Sequence, residues 1–123
     1  MINKLREIIL GIAHQYGLGY SETIYRKLIA IESRYHALNC LEETEVMARW
    51  EGTEIAKTTT PHLLISDKVL VYVRSLLENP TSYDFARTAT YLSSLGLQVG
   101  LVVNFGRKQL QIIGVSTNKL HQS

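Results

Sequence analysis

The apolar run Val69-Leu70-Val71-Tyr72-Val73 constrains the fold of this chain more than any other feature. An unbroken apolar run rich in β-branched residues favours a strand whose two faces are both covered. The strand that contains it, predicted over Val69–Leu76, therefore belongs at the centre of a sheet. The segment Ser66-Asp67-Lys68 is short enough to make His62–Ser66 its antiparallel neighbour.

Helical spacing of apolar residues precedes the strands. This spacing predicts an amphipathic helix from Ile2 to about His14, which Gly17 and Gly19 terminate. Ser21 is expected to cap a second helix that reaches roughly Ala37. The apolar stripe of the second helix is predicted to consist of Ile24, Leu28, Ile31 and Tyr35.

The rest of the chain alternates between strand and helix patterns. Alternation before and after Glu51-Gly52-Thr53 predicts a β-hairpin, and Pro80-Thr81-Ser82 opens a third helix that ends at Gly96. The other predicted segments are the hairpin strands Val46–Trp50 and Glu54–Thr59, the strand Leu97–Val103, the loop Asn104–Lys108 and the strand Leu110–Val115.

The element order α-α-β-β-β-α-β-β predicts an α/β fold with a mixed β-sheet flanked by helices. A helical crossover such as Ser82–Leu95 normally joins two parallel strands in a right-handed sense. A chain of 123 residues has the size of one domain with one core. We expect that domain to span residues 1–116 and a polar tail to span residues 117–123.

Composition and charge restrict the function. A formal net charge of +2 is weak for a nucleic-acid-binding protein, which usually concentrates Lys and Arg to neutralise several phosphates. The acidic stretch of the hairpin region would repel a phosphate backbone locally, although it also fits a solvated strand face. That stretch contains Glu42, Glu43, Glu45, Glu51 and Glu54, opposed by Arg49.

Cysteine content and hydropathy favour an intracellular, cytoplasmic protein. The single cysteine, Cys40, excludes an internal disulfide and a multi-cysteine zinc site, and a buried thiol is its expected role. No apolar run approaches the roughly 20 residues that span a bilayer. The segment Met1–His14 carries charged residues among its apolar ones, unlike a secretory signal.

The stretch Gly17–Tyr25 resembles the signature of the GxxExxY protein family, with Gly19, Glu22 and Tyr25 in the naming positions. The resemblance continues through the Trp50-Glu51-Gly52 turn and covers the chain from about Ile2 to Val115. That family looks like a branch of the PD-(D/E)XK nuclease superfamily. The resemblance therefore implies a restriction-endonuclease-like core.

The resemblance also implies where catalytic residues would lie. Such nucleases use an aspartate, a second acid and a lysine to hold Mg²⁺ and activate water. These positions match His62, Tyr72 and Arg74, and a glutamine position of the family falls near Arg87. Because Mg²⁺ prefers carboxylate, phosphate and water oxygens, we expect no catalytic set, no bound metal and no cofactor.

Each of these positions also has a structural interpretation. Glu22 can favour the helix N-terminus or pair with Arg74 or Arg87, and we expect a structural ion pair. Tyr72 is expected to pack where a hydrated metal would lie, and His62 to be a hydrogen-bonded pocket histidine. The other nearby acids are expected to lie off the required strand face, because one sits in a turn and one opens a helix. These are Asp67 and Asp84.

Three functions remain open on sequence grounds. The first is a non-catalytic structural or protein-interaction module, with a protein partner or a second copy as the occupant and Trp50 as a possible contact. The second is nucleic-acid binding without cleavage. The third is a residual nuclease in which His62 and Glu22 bind Mn²⁺. Neither a membrane nor a small-molecule substrate is expected. The possible phosphate-binding residues are Arg74, Arg87, Arg107 and Lys108.

Overall fold

The apolar run predicted at the centre of a sheet forms the central strand of the five-stranded sheet. The structure, a computed structural model, describes residues 1–106 and 108–117. The helices are α1 (Ile2–Tyr16), α2 (Glu22–Tyr35) and α3 (Ser82–Leu95). The strands are β1 (Cys40–Leu41), β2 (Thr44–Trp50), β3 (Thr53–Thr60), β4 (Leu63–Ile65), β5 (Val69–Arg74), β6 (Val99–Phe105) and β7 (Leu110–Ser116).

Strands β1, β4, β5, β6 and β7 form one five-stranded sheet in the order β1-β4-β5-β6-β7. Strand β5 pairs antiparallel with β4 and parallel with β6, and α3 connects the two parallel strands. The predicted α/β class, with a mixed sheet flanked by helices, is confirmed. Five strands precede α3, whereas the predicted element order has three and the predicted segments number four. The short strand β1 was not predicted, and the β2–β3 hairpin forms a sheet of its own.

Helices cover both faces of the five-stranded sheet. Side chains of Val69, Val71 and Val73 pack with α1 and α2, whereas those of Leu70 and Tyr72 pack with α3. Alternate residues of a strand point to opposite faces, so a strand covered on both sides must be apolar at every position. This explains why the central run has no polar alternation.

The β2–β3 hairpin extends away from this packed body. Val46 is buried near its base, and β2 packs against α3. Beyond a register shift at Ala48/Arg49, both strands are exposed, and the side chains of Trp50 and Ile55 are 68% and 64% exposed. The hairpin therefore presents large apolar side chains to solvent.

The structure corrects part of the predicted apolar stripe of the second helix, although its member Leu28 packs against the core. Ile31 and Tyr35 are exposed, because the buried face of α2 lies one position away from the predicted one. The stacked contact of Tyr25 with Phe105 fixes that rotation of the helix. The residues that α2 buries are Tyr25, Ile29, Ala30 and Ser33.

The loop predicted at Asn104–Lys108 is also partly wrong. Asn104 and Phe105 belong to β6, and both are buried. A buried asparagine inside a strand is compatible with the fold only because its amide is hydrogen-bonded, as described below. Strand β6 correspondingly starts at Val99 rather than Leu97, and α1 continues to Tyr16.

Of the predicted polar tail, only Thr117 lies within the described residues. Residues 118–123 lie outside them. The thiol of Cys40 is buried, as predicted, and this burial raises its pKa. Within residues 1–106 and 108–117, every helix is too short or too polar to cross a bilayer.

Candidate functional site

A cleft of about 360 Å³ opens at the carboxyl end of β5, beside the first turn of α3. Tyr72, Arg74, Asp84 and Arg87 are among the residues that line it. In α/β sheets, the crevice beyond the carboxyl ends of the strands is the common position of ligand sites. The structure therefore brings the predicted positions Tyr72, Arg74 and Arg87 into one cleft.

The guanidinium of Arg74 lies between two carboxylates. Its Nε is 3.5 Å from Oε2 of Glu22, in the first turn of α2, and 3.8 Å from Oδ1 of Asp84, in the first turn of α3. The predicted ion pair of Glu22 is thus confirmed, with Arg74 as the partner. Burial lowers the pKa of Arg74, but Glu22, Tyr72 and Asp84 together raise it above its usual value.

Asp84 is the functional side chain that sequence reasoning missed. Its side chain is 4% exposed, and Oδ2 accepts a hydrogen bond of 2.9 Å from the backbone N–H of Thr81 in a capping box. It comes from a helix and not from the expected strand face, as predicted, yet it reaches Arg74. The available signal was its place in the first turn of the helix that follows the central strand, because such a helix starts near the strand's carboxyl end. Asp67 lies in the β4–β5 turn, at the opposite end of β5.

His62 is fully buried beside Tyr72. Its Nδ1 is 2.5 Å from the hydroxyl of Thr60, and its Nε2 is 3.1 Å from the hydroxyl of Thr88. Because Thr88 donates its only proton to the carbonyl of Asp84, Nε2 of His62 must donate to Thr88 and Nδ1 must accept from Thr60. Burial, followed by the charges of Arg87 and Arg26, lowers the pKa of His62 to about 3. The ring is neutral, and both nitrogens are engaged.

Tyr72 forms part of the inner wall of the cleft. It is 5% exposed, and its hydroxyl accepts a hydrogen bond of 2.9 Å from Nη1 of Arg74. Its ring stacks on that of His62 at a centroid distance of 4.2 Å. The phenol therefore packs among neighbours while its polar end remains hydrogen-bonded.

The three described residues among those predicted to bind phosphate do not all line one cleft. Arg87 stands over the rings of Tyr72 and Tyr91, 6.0 Å and 5.7 Å from their centroids. Lys108 lies in a neighbouring depression of about 250 Å³. Arg107 lies outside the described residues. Of the described members of the set, only Arg74 and Arg87 line the same cleft.

The segment Leu76–Asn79 separates the cleft from the Lys108 depression and lines both. Asn104 fixes this segment: its Oδ1 accepts from the N–H of Leu76 at 2.8 Å, and its Nδ2 donates to the carbonyl of Glu78 at 3.1 Å. Gly106 permits the close approach, because a Cβ there would lie 2.2 Å from the carbonyl oxygen of Leu76. Sequence reasoning gave no role to either residue.

The motif residues Gly19 and Tyr25 shape the turn that precedes α2. Gly19 has a φ of 89° and donates its N–H to the carbonyl of Phe105 at 3.0 Å. Tyr25 stacks on Phe105 at 4.0 Å and donates its hydroxyl to the carbonyl of Gly17 at 2.7 Å. These contacts attach the turn to β6 and thereby position Glu22 at the end of β5.

The residues of the cleft do not fit a Mg²⁺ ion. Magnesium needs octahedral oxygen ligands, whereas the positions where the resemblance implies two acids and a lysine carry an imidazole, a phenol and a guanidinium. The guanidinium lies against both nearby carboxylates, those of Glu22 and Asp84. Across the part of the chain that the structure describes, no group of three or more His, Cys, Asp or Glu side chains is placed to hold a metal ion.

Comparison with known proteins agrees with this architecture. A family model for the PD-(D/E)XK nuclease superfamily matches residues 1–114. The crystal structure of SSO0001 superimposes with a TM-score of 0.60 at 12% identity, covering 78% of this chain and 50% of that one. The chain thus spans half the length of that protein, and at this identity the likeness concerns the fold alone. A comparison with curated proteins found no match.

Proposed function

The chain belongs to the PD-(D/E)XK nuclease superfamily, and from this premise we propose that it is a catalytically inactive member, of the GxxExxY branch, that acts as a structural or protein-interaction module. The observation that carries the proposal is the set of side chains in the cleft: a buried phenol, Tyr72, lines it, and the guanidinium of Arg74 lies between Glu22 and Asp84. The fold is retained as a scaffold, since a fold alone does not determine a function.

The chemistry of the cleft supports the loss of cleavage. The guanidinium of Arg74 stays protonated and cannot accept a proton from water, as a lysine of lowered pKa can. His62 cannot replace a missing acid, because its ring is neutral and both nitrogens are hydrogen-bonded to threonines. Glu22 and His62 would therefore need to rearrange before they could bind Mn²⁺ together.

The exposed hairpin supports the interaction role. Trp50 and Ile55 lie on neighbouring strands, and large aromatic and aliphatic side chains are typical contacts at the centre of protein interfaces. Within the described ranges of the chain, β3 pairs with β2 alone, so its outer edge offers backbone groups to another strand. We propose that this hairpin contacts a second copy or another protein inside the cell. Neither a membrane nor a small-molecule substrate is part of the proposal.

Two measurements test this function. Purified protein is incubated with single- and double-stranded DNA and RNA in Mg²⁺ or Mn²⁺, with Glu22→Gln as the matched variant. We expect no cleavage above the level of the variant; metal-dependent cleavage that Glu22→Gln abolishes would contradict the inactive assignment. Light scattering over a range of protein concentrations should show self-association, and a monomer at every concentration would leave only another protein as the partner.

One observation favours nucleic-acid binding without cleavage as a second candidate. Among the described residues, no carboxylate lies within 4 Å of the guanidinium of Arg87, which faces the cleft. That guanidinium is the cation best placed to meet a phosphate. A titration with DNA or RNA at several salt concentrations distinguishes this candidate, because phosphate contacts make the affinity fall steeply with salt. Arg87→Gln should then weaken binding, whereas binding without salt dependence excludes the candidate.

A further inference from the structure

We infer that Arg74 takes the place of a bound cation between Glu22 and Asp84: its guanidinium links the carboxylates of two helices to the end of the central strand, as a divalent ion links carboxylates elsewhere. The inference goes beyond the proposed function, since it assigns a linking role to Arg74 and predicts that a variant without the Arg74 guanidinium binds a metal ion. The proposed function and this inference can also be contradicted by separate experiments.

The position of Arg74 suits this linking role. It is the last residue of β5, and its partners Glu22 and Asp84 lie in the first turns of α2 and α3. These helices cover opposite faces of the sheet. One side chain therefore connects both helical layers to the strand between them.

The contact with the carboxylates depends on charge more than on directed hydrogen bonds. Nε of Arg74 is buried and has no hydrogen-bond partner, although carboxylate oxygens of Glu22 and Asp84 lie 3.5 Å and 3.8 Å away. Its hydrogen bond instead goes from Nη1 to the hydroxyl of Tyr72. The guanidinium thus acts on the two acids as a positive charge, which an ion of the same sign could replace.

Removal of this charge would leave the partly exposed carboxylate of Glu22 and the buried carboxylate of Asp84 without the cation that lies within 4 Å of both. Each remains favoured by the first turn of its own helix, so neutralisation by proton uptake is opposed. Two nearby carboxylates repel each other unless a cation lies between them. Carboxylate oxygens and water are oxygen ligands of the kind that Mg²⁺, Ca²⁺ and Mn²⁺ accept. The cleft without the guanidinium should therefore bind a divalent cation.

The test measures the thermal unfolding midpoint of wild type and Arg74→Ala by circular dichroism, with and without millimolar MgCl₂, CaCl₂ or MnCl₂ at matched ionic strength. We expect Arg74→Ala to unfold at least about 5 °C lower than wild type without the ions, and to recover part of that loss with them. The wild-type midpoint should not respond. The double variant Arg74→Ala/Asp84→Asn should not recover, because it lacks one of the two acids.

The control is Arg49→Ala, which removes an exposed ion pair with Glu54 on the hairpin and should change little with or without ions. If Arg74→Ala does not fold, Arg74→Gln, which removes the charge but keeps an amide, provides the same comparison. An unchanged midpoint of the folded variant, or a metal response no larger than that of Arg49→Ala, would overturn the inference. Neither result affects the assignment of an inactive cleft, which the cleavage assay tests.

Discussion

The ring of His62 lies flat against that of Tyr72, with a centroid distance of 4.2 Å and an interplanar angle of 11°. These are two of the positions where the resemblance implies acids. Two ionised carboxylates would repel each other here, whereas two neutral rings attract each other by dispersion. The two rings belong to the packed layer beneath α3.

The first prediction concerns pH. Because the pKa of His62 is lowered from 6.5 to about 3 in the folded protein, the unfolded chain takes up a proton over that range and the folded chain does not. The stabilising contribution is thus complete above about pH 6.5 and is lost as the pH falls toward 3. We expect a loss of about 1.4 kcal/mol in unfolding free energy for each pH unit in this window.

Denaturant unfolding at half-unit pH steps measures this slope. Carboxylates also titrate near the acidic end of the window, so His62→Gln provides the comparison. The difference between the slopes of wild type and variant isolates the histidine. Parallel curves for the two proteins would show that His62 does not bind its proton differently in the folded state.

The second prediction concerns Tyr72. Tyr72→Phe removes only the acceptor of the Arg74 hydrogen bond and should cost about 1 kcal/mol of unfolding free energy. Tyr72→Ala also removes a buried ring and should cost about 3 to 5 kcal/mol. Urea unfolding measures both values; similar costs for the two variants would mean that the ring contributes little packing.

The third prediction compares two glycines. Gly106→Ala should destabilise the protein by about 3 kcal/mol, because the new methyl group would meet the carbonyl oxygen of Leu76 at 2.2 Å. Gly11→Ala, inside α1 with no atom within 4 Å of the new Cβ, should stabilise it by about 0.5 to 1 kcal/mol. Thermal unfolding of both variants is the measurement, and effects of the same sign would refute the close-approach argument.

The fourth prediction concerns the hairpin. Trp50→Thr and Ile55→Thr should each change the unfolding free energy by less than about 0.5 kcal/mol, because both side chains are mostly exposed. If the hairpin is the interface, the double variant should lose self-association in sedimentation velocity experiments. Leu10→Thr, an exposed apolar residue on α1, is the matched control. Unchanged association in the double variant would place the interface elsewhere.

The architecture could be predicted from the sequence where periodicity was strong. The apolar run Val69–Val73 of β5 and the helical crossover defined the mixed sheet, because burial on both faces leaves few other arrangements. The rotation of α2 could not be predicted, since it depends on the long-range stacking of Tyr25 on Phe105. Asn104 resembled a loop residue because its hydrogen-bond partners lie far away in the sequence.

The cleft was predicted less completely. The resemblance identified Tyr72 and Arg74, and charge alone suggested the ion pair with Glu22. Neither signal placed Asp84 there; its position in the first turn of the helix after β5 indicated the neighbourhood, but its contact with Arg74 depends on the path between β5 and α3. The distance between two side chains across such a connection depends on the tertiary fold, which local sequence patterns do not contain.

The anchoring of Leu76–Asn79 by Asn104 determines how charge is arranged along this side of the protein. A molecule that extends from Arg87 to Lys108 must cross the exposed side chains of Leu77 and Glu78. Such a molecule therefore meets first the cation of Arg87, then the apolar side chain of Leu77 and the carboxylate of Glu78, and last the cation of Lys108. A uniform polyanion is poorly matched to that succession, whereas a polypeptide of mixed side chains can match each step.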